Sequence, residues 1–218
     1  MTGKTHWGLG VMSGVAVAGL DSVHGDAVAT VLTVVVATLA SILPDIDDEG
    51  SVVNKFLFQG VRKSWRSFAL AFVGVAIMLF SLFYQAPLWV LLAGLFALSV
   101  AFVPHRSFTH SLLALAAVAG ITYLASPVLV PAMVAGYASH LLADSLTPAG
   151  VPLLWPLSVR IGFGRIGLHF PTGGWGDRVL GRLSLWMASL MCVWFLFDGL
   201  FVEGTWAMSW IESVLSYF

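Results

Sequence analysis

Residues able to do chemistry are scarce in this sequence and fall in four short strings. They are "KTHWG" around His6, "LPDIDDEG" with Asp45, Asp47 and Asp48, "PHRSFTH" with His105, Arg106 and His110, and "SHLLADSL" with His140 and Asp144. His140 and Asp144 are four positions apart, so on a helix they share a face, as two ligands of one metal would. Asp45 and Asp47 follow a proline that ends an apolar run, and alternate residues of an extended turn can reach one centre or bridge two. His105 and His110 are five apart, which suits a loop entering a helix better than one helical face. Imidazole and carboxylate are common zinc ligands, and carboxylate also serves manganese and magnesium. A His/Asp set without thiolate reads as catalytic rather than structural. His6, Asp45, Asp47, His105, His110, His140 and Asp144 are more ligands than one tetrahedral ion uses, so the expectation is one or two divalent ions, zinc favoured.

Taken singly, each string has a plainer reading. His140 with Asp144 could be a hydrogen-bonded helical pair, "LPDIDDEG" a solvated loop, and His6 an interfacial residue. Ser107 and Thr109 read as helix caps. Convergence favours the metal. Ionisable groups at the edge of a membrane bundle are costly and tend to be functional.

The elements that must hold these strings are membrane spans. Hydrophobic residues make up 59% of the 218 residues and charged residues 10%, far from the composition of a soluble domain. Seven apolar segments follow, near 7–20, 27–43, 67–84, 87–103, 109–125, 128–146 and 183–202. The expected fold is an all-α, polytopic transmembrane helical bundle forming a single integral membrane domain over 1–218. The first and fifth segments are short against the roughly 20 residues that cross a bilayer core. The glycine-rich first segment leads into a second apolar run, so it reads as part of the fold and not as a cleaved signal. Residues 183–218 would form the last span and an extracytoplasmic amphipathic tail. Trp65, Trp89, Trp206 and Trp210 read as interfacial belt residues, and the lone Cys192 as a buried structural thiol.

If every segment crosses, all ten Lys and Arg residues share one face with the four strings, and the other face carries Asp21, Asp26, Glu203 and Glu212. The positive-inside rule places the basic face in the cytoplasm. A net charge of −1 argues against nucleic acid as a partner. A further pattern pairs Thr5-His6 with Thr109-His110, each opening a hairpin that closes on an acid, Asp45 or Asp144. Two parallel hairpin repeats would each supply a His and an Asp to a shared centre.

The ordered blocks "TH", "LPDID", "HRSFTHSLL" and "GYASHLLADSLTPAGVPLLWP" resemble the LexA-binding, inner-membrane-associated, metal-dependent hydrolases of bacteria and archaea, over about residues 1–180. The resemblance implies metal-site roles for His6, Asp45, Asp47, His105, His110, His140 and Asp144. It places Arg106 beside the site, where a guanidinium could hold phosphate or carboxylate. The family also carries an acid, usually Glu, after a Gly-rich turn; here "PTGGWGDRVL" has Asp177, with His169 as a nearby helper.

Two functions from different classes are expected. One is a membrane-embedded hydrolase at the cytoplasmic interface, with a lipid phosphate ester as substrate, Asp47 as general base and Arg106 receiving the anion. The other is a transporter or metal-ion permease using the same residues as a binding site. A path across the membrane should leave polar residues along the spans, and apart from His24 and Asp198 the candidates cluster at one end.

Overall fold

The computed structural model describes residues 1–20, 27–47, 51, 60–62, 65–104, 106–167 and 169–197. The described residues form seven α-helices and no strand, as the apolar pattern predicts. They are α1 (Gly3–Leu20), α2 (Ala27–Ile42), α3 (Arg66–Phe83), α4 (Leu88–Ala101), α5 (Leu112–Ala125), α6 (Val130–Ser145) and α7 (Trp175–Phe197). Asp48, His105 and the expected tail at 198–218 lie outside the described residues, as do the side chain of Asp47 and the distal candidates His24 and Asp198.

Among the described residues, three stretches are long and apolar enough to cross a membrane: Val28–Ile46, Arg66–Phe83 and Trp175–Phe195. The helices α4 and α5 have 14 residues each, about 21 Å at 1.5 Å per residue. Large apolar side chains point outward, among them Phe72, Leu82 and Phe83 on α3 and Trp186 and Trp194 on α7. Contiguous apolar surface of this kind suits lipid and not water.

The last helix begins eight residues before its expected start at 183. Gly173, at φ +76°, closes the preceding turn, and helix runs on from Trp175. Arg178 and Arg182 therefore sit on its first two turns and not in a loop. Cys192 is exposed on α7, contrary to the buried thiol expected. A helix apolar on every side does not tell from sequence which face turns inward.

The central helix is α1, which packs on α2, α6 and α7; α2 also packs on α6, and α3 pairs with α4. Small residues set these distances. A Cβ at Gly10 would lie 2.2 Å from Ser41 Oγ and 2.8 Å from Thr38 Cα, and one at Gly136 would lie 2.0 Å from the Ala37 carbonyl oxygen. Both approaches press on the end of α2 that carries Ser41, and small residues are what allow membrane helices to meet so closely. Gly136→Val is expected to destabilise the fold by about 1–3 kcal/mol, the usual cost of overpacking. Thermal unfolding in detergent reads this out, and an unchanged midpoint would contradict the packing described.

Candidate metal centre

Four helix ends meet at one end of the bundle. His6 lies in the first turns of α1. After α2, Pro44 cannot continue the helical ladder, and a 3-10 turn over Leu43–Asp47 carries Asp45 inward. After α4, the chain passes Pro104 and then Arg106, whose φ of +56° is uncommon for a non-glycine residue. A second 3-10 turn, Phe108–His110, then delivers His110. The helix α6 supplies His140 and Asp144 from one face, four positions apart as expected.

The helix-cap expectation needs correction. Ser111 caps α5, its hydroxyl accepting from the Ala114 amide at 3.1 Å. Ser107 instead donates to the Pro104 carbonyl, and Thr109 Oγ1 lies 3.0 Å from His110 Nδ1. The intervening 3-10 turn delays the start of the helix beyond both residues.

Four ligand-type atoms converge. His110 Nε2 lies 3.2 Å from His140 Nε2, 3.6 Å from Asp45 Oδ1 and 3.6 Å from Asp144 Oδ2. His140 Nε2 lies 3.7 Å from Asp45 Oδ1 and 4.0 Å from Asp144 Oδ2. Behind them, His6 stacks on His140 with ring centroids 3.7 Å apart, and its Nε2 is 3.2 Å from Asp144 Oδ1. The Met1 amino group also contacts that oxygen. His6, His110, His140 and Asp144 are buried, whereas Asp45 and Arg106 retain 16% and 21% exposure, so water reaches the cluster from their side.

The donor set suits a cation. His140 Nδ1 donates to the Ser41 carbonyl at 2.7 Å, so its Nε2 presents a lone pair. That lone pair faces another imidazole nitrogen at 3.2 Å, an arrangement that wants a positive charge or a proton between them. Two atoms each about 2.0–2.1 Å from one tetrahedral zinc are roughly 3.3 Å apart. The observed separations of 3.2–4.0 Å approach the edges of such a tetrahedron. Both ring nitrogens of His6, and Asp144 Oδ2, are buried without an aligned hydrogen bond. Buried polar atoms are rarely left so.

Arg106 lies beside the cluster, as expected, its Nη2 3.1 Å from Asp144 Oδ2. Among the described residues this is its one ion pair, which leaves further N–H groups for an anion. His169 is exposed and takes no part in the cluster. Asp177 is buried but faces Thr2, Thr5 and Gly173 instead of the convergent atoms.

Each hairpin does contribute a His and an Asp, but they do not pair hairpin by hairpin: His6 meets Asp144, and His110 lies 3.6 Å from both Asp45 and Asp144. The hairpins themselves are unlike. The helices α1 and α2 pack along each other, whereas α5 touches α6 lightly, and His6 is helical where His110 sits in a 3-10 turn. The repeat goes no further than the order of ligands.

Sequence reasoning missed the groups that aim the ligands. These are the Ser41 carbonyl on His140, the Thr109 hydroxyl on His110, and the Tyr137 hydroxyl donating to the Thr109 carbonyl. Tyr137, a polar-tipped residue three positions before His140 in an apolar helix, was the available signal. A backbone carbonyl leaves none.

The fold and site together define a multi-pass helical membrane protein with a buried histidine–aspartate cluster at one end of its bundle. The family model described as YdjM inner membrane protein matches residues 1–209, and the chain belongs to that family. This accords with the inner-membrane family its motif order resembles. Over 97 residues the chain is 43% identical to the inner membrane protein YdjM of Escherichia coli (strain K12), a stretch covering 41% of this chain and 45% of that protein. The Shigella flexneri protein of the same name gives the same figures. The uncharacterized protein YvsG of Bacillus subtilis (strain 168) is 37% identical over 98 residues, 44% of this chain and 58% of that protein. The match thus spans about half the length of these curated relatives. No solved structure matches the chain.

Proposed function

We propose that this protein is a membrane-embedded, metal-dependent hydrolase acting on an amphiphilic substrate, best a lipid phosphate ester, at the cytoplasmic interface. One divalent ion, zinc favoured, would be held by His110, His140, Asp45 and Asp144, with His6 steadying the other oxygen of Asp144. A single observation carries this reading: the Nε2 atoms of His110 and His140 point at each other at 3.2 Å while His140 Nδ1 is committed to a carbonyl. The two ligand triads, His6-His140-Asp144 and Asp45-His110-His140, share His140. An imidazole with one nitrogen spent cannot serve two ions, so one ion is favoured over two.

When bound, such an ion supplies Lewis acidity and lowers the pKa of a coordinated water toward 7. The chain's own residues do the rest. Asp45, the more exposed of the two acids, meets incoming water. Asp47, two positions on in the same 3-10 turn, is the assigned general base. Arg106 orients the anionic group, and the buried His6 and His140 rings keep bulk water from the far side of the site. The lipid assignment rests on position, because the cluster lies where helix ends leave the apolar zone. The cytoplasmic assignment rests on the basic residues at that same end, Lys4, Arg62, Arg66, Arg106, Arg178 and Arg182 among them. A transport path is less well supported, since the buried hydroxyls of Thr38 and Ser41 on α2 bond back to their own helix.

Elemental analysis of the detergent-purified chain tests the proposal. About one ion per chain is expected, lost from Asp45→Ala and removed by chelator. Chelation should also lower the thermal midpoint, because an ion bound only to the folded state stabilises it by about 2.7 kcal/mol at 100 times its dissociation constant. A folded preparation that takes up no zinc, manganese or magnesium would remove the hydrolase.

A further inference from the structure

We infer that Asp177 is a positioning residue for the centre, a buried carboxylate on α7 that clamps the start of α1 and thereby sets where His6 stands. The inference rests on the metal reading above for its purpose, but its geometry is independent of it. Asp177 is fully buried, and among the described residues no side-chain cation pairs with it. Its Oδ2 accepts from the Gly173 amide at 2.6 Å and the Thr2 amide at 3.0 Å. Its Oδ1 accepts from Thr5 Oγ1 at 2.5 Å and, more distantly, from Thr2 Oγ1 at 3.4 Å. Burying a charge is expensive unless hydrogen bonds repay it. Here every donor but Gly173 belongs to the first turn of α1 or the residue before it.

The clamp has little slack. The Thr2 carbonyl accepts from the amides of Thr5 and His6 at 2.9 and 3.1 Å, so holding Thr2 and Thr5 holds the backbone of His6. A Cβ at Gly8 would lie 2.6 Å from Ser184 Oγ, and one at Gly181 would lie 3.0 Å from Thr5 Oγ1, so α1 and α7 are in direct contact over this turn. The carboxylate also sits at a helix N-terminus, where negative charge is favoured.

His6 needs this more than the other two histidines. His140 is aimed by the Ser41 carbonyl and His110 by the Thr109 hydroxyl, each through Nδ1. Neither ring nitrogen of His6 makes an aligned hydrogen bond, so its ring is placed by its backbone and by its stacking on His140. From there Nε2 stands 3.2 Å from Asp144 Oδ1. The block "PTGGWGDRVL" thus acts from a distance: its turn and its acid fix α1, α1 fixes His6, and His6 meets Asp144.

The test is zinc or cobalt(II) titration of the full chain in detergent, comparing Asp177→Ala, Thr5→Val and Thr5→Ser with wild type. Loss of an outer-shell partner typically costs about 10–100-fold in metal affinity; that is the loss expected for His6→Ala, and Asp177→Ala, acting through His6, should lose several-fold and no more than His6→Ala does. Thr5→Val should show a smaller loss, and Thr5→Ser, which keeps the hydroxyl, should match wild type. In a His6→Ala background Asp177→Ala should add nothing. An equal loss in both backgrounds, or wild-type affinity in Asp177→Ala, overturns the inference. Should wild type bind no metal, the metal reading falls and the positioning is read from His6 itself, by site-resolved carbethoxylation. His6 shielded in wild type and Thr5→Ser but reactive in Asp177→Ala and Thr5→Val supports the clamp. A His6 that stays shielded throughout refutes it.

Discussion

His140→Ala is expected to abolish metal binding, with the largest effect of any single ligand substitution. His140 alone belongs to both ligand triads, and its Nε2 is within 4.0 Å of His110, Asp45 and Asp144 ligand atoms. Removing the imidazole deletes one ligand and leaves the Ser41 carbonyl without its donor, which costs the desolvation of a buried polar group, about 1–3 kcal/mol. The affinity loss should therefore exceed the roughly 10–100-fold that follows loss of an outer-shell group. His6→Ala should cost less, because His6 faces the side of Asp144 away from the other ligand atoms. Titration with zinc at fixed detergent concentration separates the two. Equal losses for both variants would mean that His6 is itself a ligand of equal rank.

The second large effect is expected at Arg106. Arg106→Ala should retain about one ion per chain and yet lose roughly 10²–10³-fold in turnover of a lipid phosphate ester, the range seen when one donor to a developing anion is removed. Arg106→Lys should not restore it, since an ammonium cannot present the planar fork that matches phosphate. The local backbone supports this assignment. Arg106 holds a left-handed φ of +56° and spends one end of its guanidinium on Asp144, an arrangement that aims a charged group at one place. Strain of this kind clusters at functional sites. Turnover unchanged at full metal occupancy in Arg106→Ala would remove the residue from the mechanism. Metal lost in parallel with turnover would show that Arg106 serves Asp144 and not the substrate.

Much of the site was legible in the sequence because membrane proteins ration ionisable groups. In an apolar chain, His6, Asp45, His110, His140 and Asp144 stand out, and helical spacing alone puts His140 and Asp144 on one face. What spacing could not say is how they pair. That His6 meets Asp144, and that His110 stands equally near Asp45 and Asp144, depends on which helices become neighbours, and that is set by where glycines let them touch. Gly10 and Gly136 bring α1 and α6 onto α2 beside Ser41. Sequence patterns show a small residue but not its partner across the interface. The mistaken caps at Ser107 and Thr109 have a similar origin: both are good cap residues, but a 3-10 turn intervenes and the Thr109 hydroxyl is taken by the neighbouring His110 ring.

By itself, then, the sequence determined an all-helical membrane protein, the end of the bundle at which its histidines and aspartates gather, and the residue types of the candidate site. In lipid only a helix or a closed barrel satisfies its backbone, and long continuous apolar runs without strand alternation suit the helix. Tertiary structure alone decided which ligand faces which, that Ser41 lends its carbonyl, that Cys192 points outward, and that Asp177 guards α1 and not the centre. Each of these depends on how residues far apart in the chain pack together, which no local pattern encodes.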